Sequence, residues 1–401
     1  MRRIALFALT LLAVASLLVQ LVLNRPTGGF ENQPAGWASS EAGDDLSGSL
    51  AAFHIAAMAV QLSANDYARV TAYASQAYMA ARYRDDAEGS DGQAAFFSVV
   101  RALMPDPSFH ATLPTVSEST ASRDESSRLI QIAATDGYDL NWPPTPVRFT
   151  SPLDLGPEKQ RYTWAPVTGN GPELERTWGE LRTLVAHDCT VPPPPVQSLE
   201  QLIDEAKRVT AATRAMEQHP NGDGLTTLGF AYTGGYWQRA EPVRIWLQLI
   251  ATAAIDAQLS TEESDRMLAS AAVAFHDTMI LVWRAKFGFL LAHPLAVDTD
   301  SYPYLNAQVP TYPSEHAAIS RAGAEVIDQF SPNVRPRIEL PGSVISAPTT
   351  RVLRDADAAV REFSTVAQMM GLAYDFDIPA GESLGSCVAR GTLLRLEGAQ
   401  R

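Results

Sequence analysis

Apolar positions along this chain fall into three patterns. The first is an unbroken apolar run from Ile4 to about Leu23, preceded by Arg2 and Arg3 and closed by Asn24, Arg25 and Pro26. About 20 residues at 1.5 Å each cover the roughly 30 Å hydrocarbon core of a bilayer, and the two arginines would hold the start of the run in the cytoplasm. Residues 1–25 are therefore expected to be a membrane anchor or signal segment. Residues 26–47, rich in Gly, Ser, Asn and acids, read as a flexible linker. The body, residues 48–401, is then expected outside the cytoplasm, either as a single-pass protein of the cell membrane or secreted if the segment is cleaved.

The second pattern is helical. Ala, Leu, Ile, Met and Val recur every three or four residues through "LAAFHIAAMAVQL" and "RVTAYASQAYMAARY", which predicts helices from Leu50 to about Arg84. The same spacing returns at 198–218 and from Pro242 to about Leu291. A break at "LSTEESDRML" marks a helix start by its Ser, Thr and Glu residues. Further helices are predicted at 315–330 and 355–370, with a closing one from about Glu382. The run from Ala271 to Ala292 carries Asp277, Arg284 and Lys286, so it reads as a buried bundle helix and not as a second span.

The third pattern is punctuation. A connector at about 142–196, with "WPPTPVRF", "TWAPVTGNGPE" and "TVPPPP", and a shorter one at 331–348 hold prolines that remove backbone donors and force extended neighbours. Apolar and polar residues alternate almost nowhere. The fold is therefore expected to be all-α, with a motif-bearing bundle over about 198–396.

Charge narrows the partners. The 31 Lys and Arg stand against 45 Asp and Glu, a formal net charge of -14, which would repel nucleic acid phosphates and an anionic lipid surface. No nucleic acid partner is expected, and contact with the membrane is expected through the N-terminal helix alone. Cys189 and Cys387 allow either one disulfide or two buried thiols.

Chemistry gathers near residue 300. Lys286 and His293 lie seven residues apart on one predicted helix, hence on one face, with Pro294 ending it. Ser314, Glu315 and His316 stand at a loop-to-helix junction, where Ser314 can cap and the helix dipole favours an anion. His316 titrates in the range suited to general acid–base work. No G-x-S-x-G turn points to a serine hydrolase, and no cysteine pair or H-E-x-x-H points to zinc. A metal site built from His276, His293, His316 and Asp377 is conceivable but follows no recognised ligand spacing.

These residues resemble the motifs of the vanadium-dependent haloperoxidases and the related type 2 phosphatidic acid phosphatases. The first motif of that family is Lys, six residues, Arg-Pro; here it reads "KFGFLLAHP", Lys286 to His293-Pro294. The second is Pro-Ser-Gly-His; here Pro313-Ser314-Glu315-His316. The third is Ser-Arg, three residues, Gly, one residue, His, three residues, Asp. "VAQMMGLAYDFD" keeps Gly371 and Asp377, but has Val366 and Ala367 at Ser-Arg and Ala373 at His. Segments such as "WPPTPV", "TWGELRTLV", "FHDTMILVWRAKF" and "GESLGSCVAR" are similar to the bacterial haloperoxidase lineage.

The resemblance implies two four-helix bundles with an oxyanion site in the second. On it, His316, Lys286 and His293 are the candidate catalytic residues, with His316 as the acid–base group, and Lys286, Ser314, Glu315 and Asp377 are the candidate residues of the oxyanion or substrate pocket. Its charge clamp is cut to Lys286, and the methyl of Ala373 can neither ligate vanadate nor carry a phosphoryl group. No cofactor is expected, except vanadate if the third motif lies in another register. Three readings follow. The chain is an enzyme with altered chemistry, using His316 and Lys286 with support from His293 to hydrolyse a phosphoester or to isomerise or cyclise an organic substrate; it is a membrane-tethered binding scaffold without activity; or it is a haloperoxidase or phosphatase of the usual kind, with its third motif in another register.

Overall fold

The computed structural model describes residues 64–87, 90–104, 116–138, 151–165, 176–186, 188–218, 242–298, 309–340, 349–369 and 371–398. The chain divides into the units Met1–Ser40 and Glu41–Arg401, and every described residue belongs to the second. The expected anchor, the linker and the helical pattern of residues 50–63 lie outside the described residues. Among the described residues no helix is long and apolar enough to cross a membrane.

In chain order the helices are α1 (Ala64–Arg82), α2 (Asp91–Leu103), α3 (Thr120–Ala133), α4 (Lys159–Tyr162), α5 (Leu199–Gln218), α6 (Pro242–Asp256), α7 (Thr261–Phe289), α8 (Pro294–Val297), α9 (Glu315–Phe330), α10 (Ala356–Met369) and α11 (Asp377–Gly398). One antiparallel ribbon, β1 (Arg337–Leu340) with β2 (Thr349–Val352), stands between α9 and α10, with Arg337 opposite Val352. The expectation of a nearly all-α chain holds, with one correction: the connector predicted at 331–348 contributes a strand. "RIEL" and "TTRV" carry the branched side chains that suit a pleated ribbon.

α7 is the axis of the fold. It starts where the sequence predicts, in a capping box in which the Ser260 hydroxyl accepts from Glu263 N and the Glu263 carboxylate accepts from Ser260 N. At 29 residues it is about 43 Å long, enough to serve two groups of helices. α1 packs along it and against α2 and α3; α6, α9 and α11 pack on it as the second group. A helix shared in this way must be apolar nearly all round, and its middle, Met267 to Trp283, is buried throughout.

Polar residues buried on α7 are mostly satisfied, as burial requires. Asp265 accepts from the hydroxyls of Tyr78 and Tyr83, and Asp277 accepts from the backbone N–H groups of Leu184, Val185 and Ala186. The Asp277 contacts tie the Pro-rich connector to the axis. Within that connector the described residues form α4 and a 3-10 turn at Arg176–Glu180, short pieces between prolines.

α9 and α11 run in parallel and touch backbone to backbone. A Cβ on Gly381 would lie 2.3 Å from the Ser314 carbonyl oxygen, and one on Gly385 2.0 Å from that of Ala318. The four-residue spacing of these glycines opens one face of α11 to the Ala-rich face of α9. The closing helix starts at Asp377, five residues before the predicted Glu382, because Pro379 is tolerated in a first turn. The N-termini of α9 and α11 therefore meet at one end of the second group, together with the last turn of α7. Cys189 and Cys387 are bonded, joining the connector to α11.

Candidate functional site

Lys286 sits in the last turn of α7, and its side chain is 4 % exposed. Its ammonium donates to the carbonyls of Pro310 (2.7 Å) and Thr311 (2.9 Å). The Glu315 carboxylate, at the first position of α9, lies 3.5 Å away and completes its surroundings. Burial opposes ionisation of Glu315, but the Lys286 charge, with help from His316, outweighs it and holds the carboxyl below its ordinary range. An ionised pair is thus built into the end of the bundle.

His316 follows on α9, with Nδ1 3.7 Å from Glu315 Oε1 and a quarter of its side chain exposed. Its ring lies against Phe363 of α10, centroids 5.0 Å apart. Burial lowers its pKa, the Glu315 carboxylate raises it and Lys286 lowers it, with a net fall from 6.5. The imidazole is neutral at neutral pH, with a carboxylate beside it and one side open.

Ser314 caps α9, its hydroxyl accepting from Ala317 N. Its backbone N–H donates to the Asp377 carbonyl (3.1 Å), which fixes the two helix ends together. Asp377 is fully buried and accepts from the Thr311 hydroxyl and from Tyr374 N. Its Oδ1 has no hydrogen-bond partner among the described residues. Burial pushes its pKa up to about 7, against the lowering effect of Thr311, Tyr374 and Lys286.

His293 departs from the expectation. α7 ends at Phe289, because Leu290 takes a left-handed conformation (φ 53°), and His293 is the N-cap of the separate turn α8. Lys286 and His293 are therefore not two turns apart on one helix. The His293 ring spans two loops instead, Nδ1 2.7 Å from the Leu372 carbonyl and Nε2 2.7 Å from that of Val309. Both nitrogens are engaged by backbone. Burial and the Lys286 charge lower its pKa to about 4 against the raising effect of these two carbonyls, and a ring with both nitrogens turned to backbone carbonyls has no donor left for a bound anion, so it does not replace a guanidinium.

Other registers of the third motif bring no better group. Ala373 is 3 % exposed. The Tyr374 hydroxyl donates to the Ala292 carbonyl, and Asp375 pairs with Arg208 at 2.6 Å. His276 belongs to the other helix group, its ring 5.7 Å from that of Tyr73. Among the described residues no three of His, Cys, Asp and Glu gather as metal ligands would, so the four-residue metal site imagined from sequence is not assembled.

Among the described residues the donor set does not fit vanadate. The one ammonium is already surrounded by two carbonyls and a carboxylate, and no imidazole stands at the third-motif position. Two residues that matter here, Thr311 and Phe363, escaped sequence reasoning. Thr311 precedes the second motif by two residues with no pattern to mark it, and Phe363 reaches His316 from a helix 47 positions on.

No family model matches the chain, and no curated protein matches it. Solved structures do. A bacterial vanadium-dependent iodoperoxidase is similar with a TM-score of 0.66 at 15% identity, over 88% of this chain and 96% of its own. The holo form of a bacterial vanadium-dependent chloroperoxidase gives 0.60 at 10% identity over 84% and 93%, and the apo form 0.58 at 12% over 87% and 95%. At such identities the similarity speaks for the fold. The chain carries the fold of the bacterial vanadium-dependent haloperoxidases.

Proposed function

We propose that this chain is a divergent enzyme on the haloperoxidase fold, acting outside the cytoplasm, which uses His316 for acid–base chemistry on a small organic molecule or a phosphoester without bound vanadate. The observation that carries this is the line Lys286, Glu315, His316. A neutral, partly exposed imidazole stands 3.7 Å from a carboxylate that a buried ammonium keeps ionised. Such a ring can take a proton from a bound substrate, and the carboxylate then stabilises the imidazolium that forms. Phe363 limits the ring's rotation by packing on one face. The Cys189–Cys387 bond supports an oxidising compartment, in keeping with the N-terminal apolar run. The scaffold reading keeps one observation in its favour, the neutralised Lys286.

The test is an unbiased panel. Full-length protein is incubated with phosphoesters, with halide and peroxide, and with isoprenoid-type and other cyclisable organic compounds, beside its His316→Ala variant. Turnover lost in the variant supports the enzyme; turnover that survives unchanged rules out acid–base work at His316, and no turnover with any class favours the scaffold.

A further inference from the structure

Glu315 stands where the resembling family has glycine, and its carboxylate already lies where a ligand anion would meet the ammonium. Oε2 is buried, 3.5 Å from Lys286 Nζ, and has no hydrogen-bond partner among the described residues. Oε1 faces His316 Nδ1 at 3.7 Å. The remaining reach of Lys286 goes to the carbonyls of Pro310 and Thr311, which present partial negative charge to it. Around this pair stand further acids. Asp377 is buried beside it, and Asp375 is on the next loop, paired outward with Arg208.

A second anion brought within about 4 Å of Glu315 would meet like charge. At the effective dielectric of a partly buried site, that repulsion weakens binding by roughly a hundred- to a thousandfold. An uncharged molecule meets no such barrier, and a cationic one is attracted.

We infer that Glu315 is a tethered anion that permanently occupies the Lys286 site, and that this makes it the specificity-determining residue: the ligand beside His316 is an uncharged or cationic small molecule, and phosphoesters and oxyanions are excluded. This rests on the reading above that the open side of His316 receives a small molecule, and narrows it.

The experiment titrates orthovanadate and inorganic phosphate into the full chain, read by vanadium-51 NMR line broadening and by thermal shift. The proteins are wild type, Glu315→Gln, Glu315→Gly and the double variant Glu315→Gln/Lys286→Met, with folding checked by circular dichroism. Wild type is expected to give no saturable binding. Either single variant gains it, at least about tenfold tighter than wild type, and the double variant loses it again. The His316 pKa, followed by imidazole NMR, drops further in Glu315→Gln because the neighbouring carboxylate is gone, which reports that Glu315 is ionised beside the ring.

Folded single variants that bind no anion overturn the inference, as does a wild type that binds vanadate or phosphate as tightly as they do. Failure of the acid–base reading is seen separately, in turnover that ignores His316, and leaves the anion titrations unaffected.

Discussion

His276 gives the sharpest stability prediction. It is fully buried in the middle of α7, both ring nitrogens lack hydrogen-bond partners among the described residues, and its ring packs on Tyr73 near the Arg69 charge. Burial, and then Arg69, lower its pKa from 6.5 to about 3. A histidine with a depressed folded pKa binds its proton more readily when unfolded. Stability is therefore full above the unfolded value and falls as pH drops from 6.5 toward 3. Across that whole window the loss amounts to about 4 to 5 kcal/mol, of which about 3 kcal/mol is already gone at pH 4.

The perturbation is His276→Leu, which fills similar volume and does not titrate. Urea unfolding followed by tryptophan fluorescence, at several pH values between 7 and 4, gives stability curves for both proteins. The wild-type curve should fall more steeply than the variant's, by about 3 kcal/mol between pH 7 and pH 4. His293 and His316 also have lowered pKa values, so both proteins lose stability in acid, and only the difference belongs to His276. Parallel curves would mean that protonation of His276 does not destabilise the fold.

Three further outcomes are expected. Replacing both Cys189 and Cys387 by Ser opens a loop spanning 198 residues and should lower stability toward guanidinium by up to about 5 kcal/mol on chain-entropy grounds; thiol titration of the unfolded wild type should find no free thiol before reduction. Gly385→Ala places a methyl 2.0 Å from the Ala318 carbonyl oxygen and should cost about 1–3 kcal/mol or more, since neither helix backbone can yield freely, as a thermal melt would record. Tyr312→Phe removes the hydrogen bond to the Pro192 carbonyl (2.8 Å) and should cost about 1 kcal/mol in the same melt.

Much of the second helix group was legible in the sequence. "LSTEE" announces the start of α7 by its capping box, Ser314 the start of α9, and the four-residue glycine spacing in "GESLGS" fits the close approach of α11 to α9. The site was legible only in part. Lys286, Glu315 and His316 do meet. His293 was misplaced because nothing local in "FGFLLAHP" reveals that Leu290 turns left-handed and ends the helix before the proline. Glu315 reads as a liability in sequence, a carboxylate in an anion's place, and only the 3.5 Å approach to Lys286 shows the two charges satisfying each other. The ring of Phe363 and the hydroxyl of Thr311 come from tertiary proximity, which carries no periodic signal.

We propose His316 as the acid–base group of this site. Its most direct test is the pH dependence of kcat/KM on any substrate the panel yields, for wild type and His316→Gln. With His316 as general base, the wild-type rate should rise through an ionisation below 6.5, below the range in which Asp377 titrates at about 7, and the variant should lose that ionisation and about 10²–10⁴ of the rate. A variant that keeps the wild-type rate and profile would rule out His316 as that group.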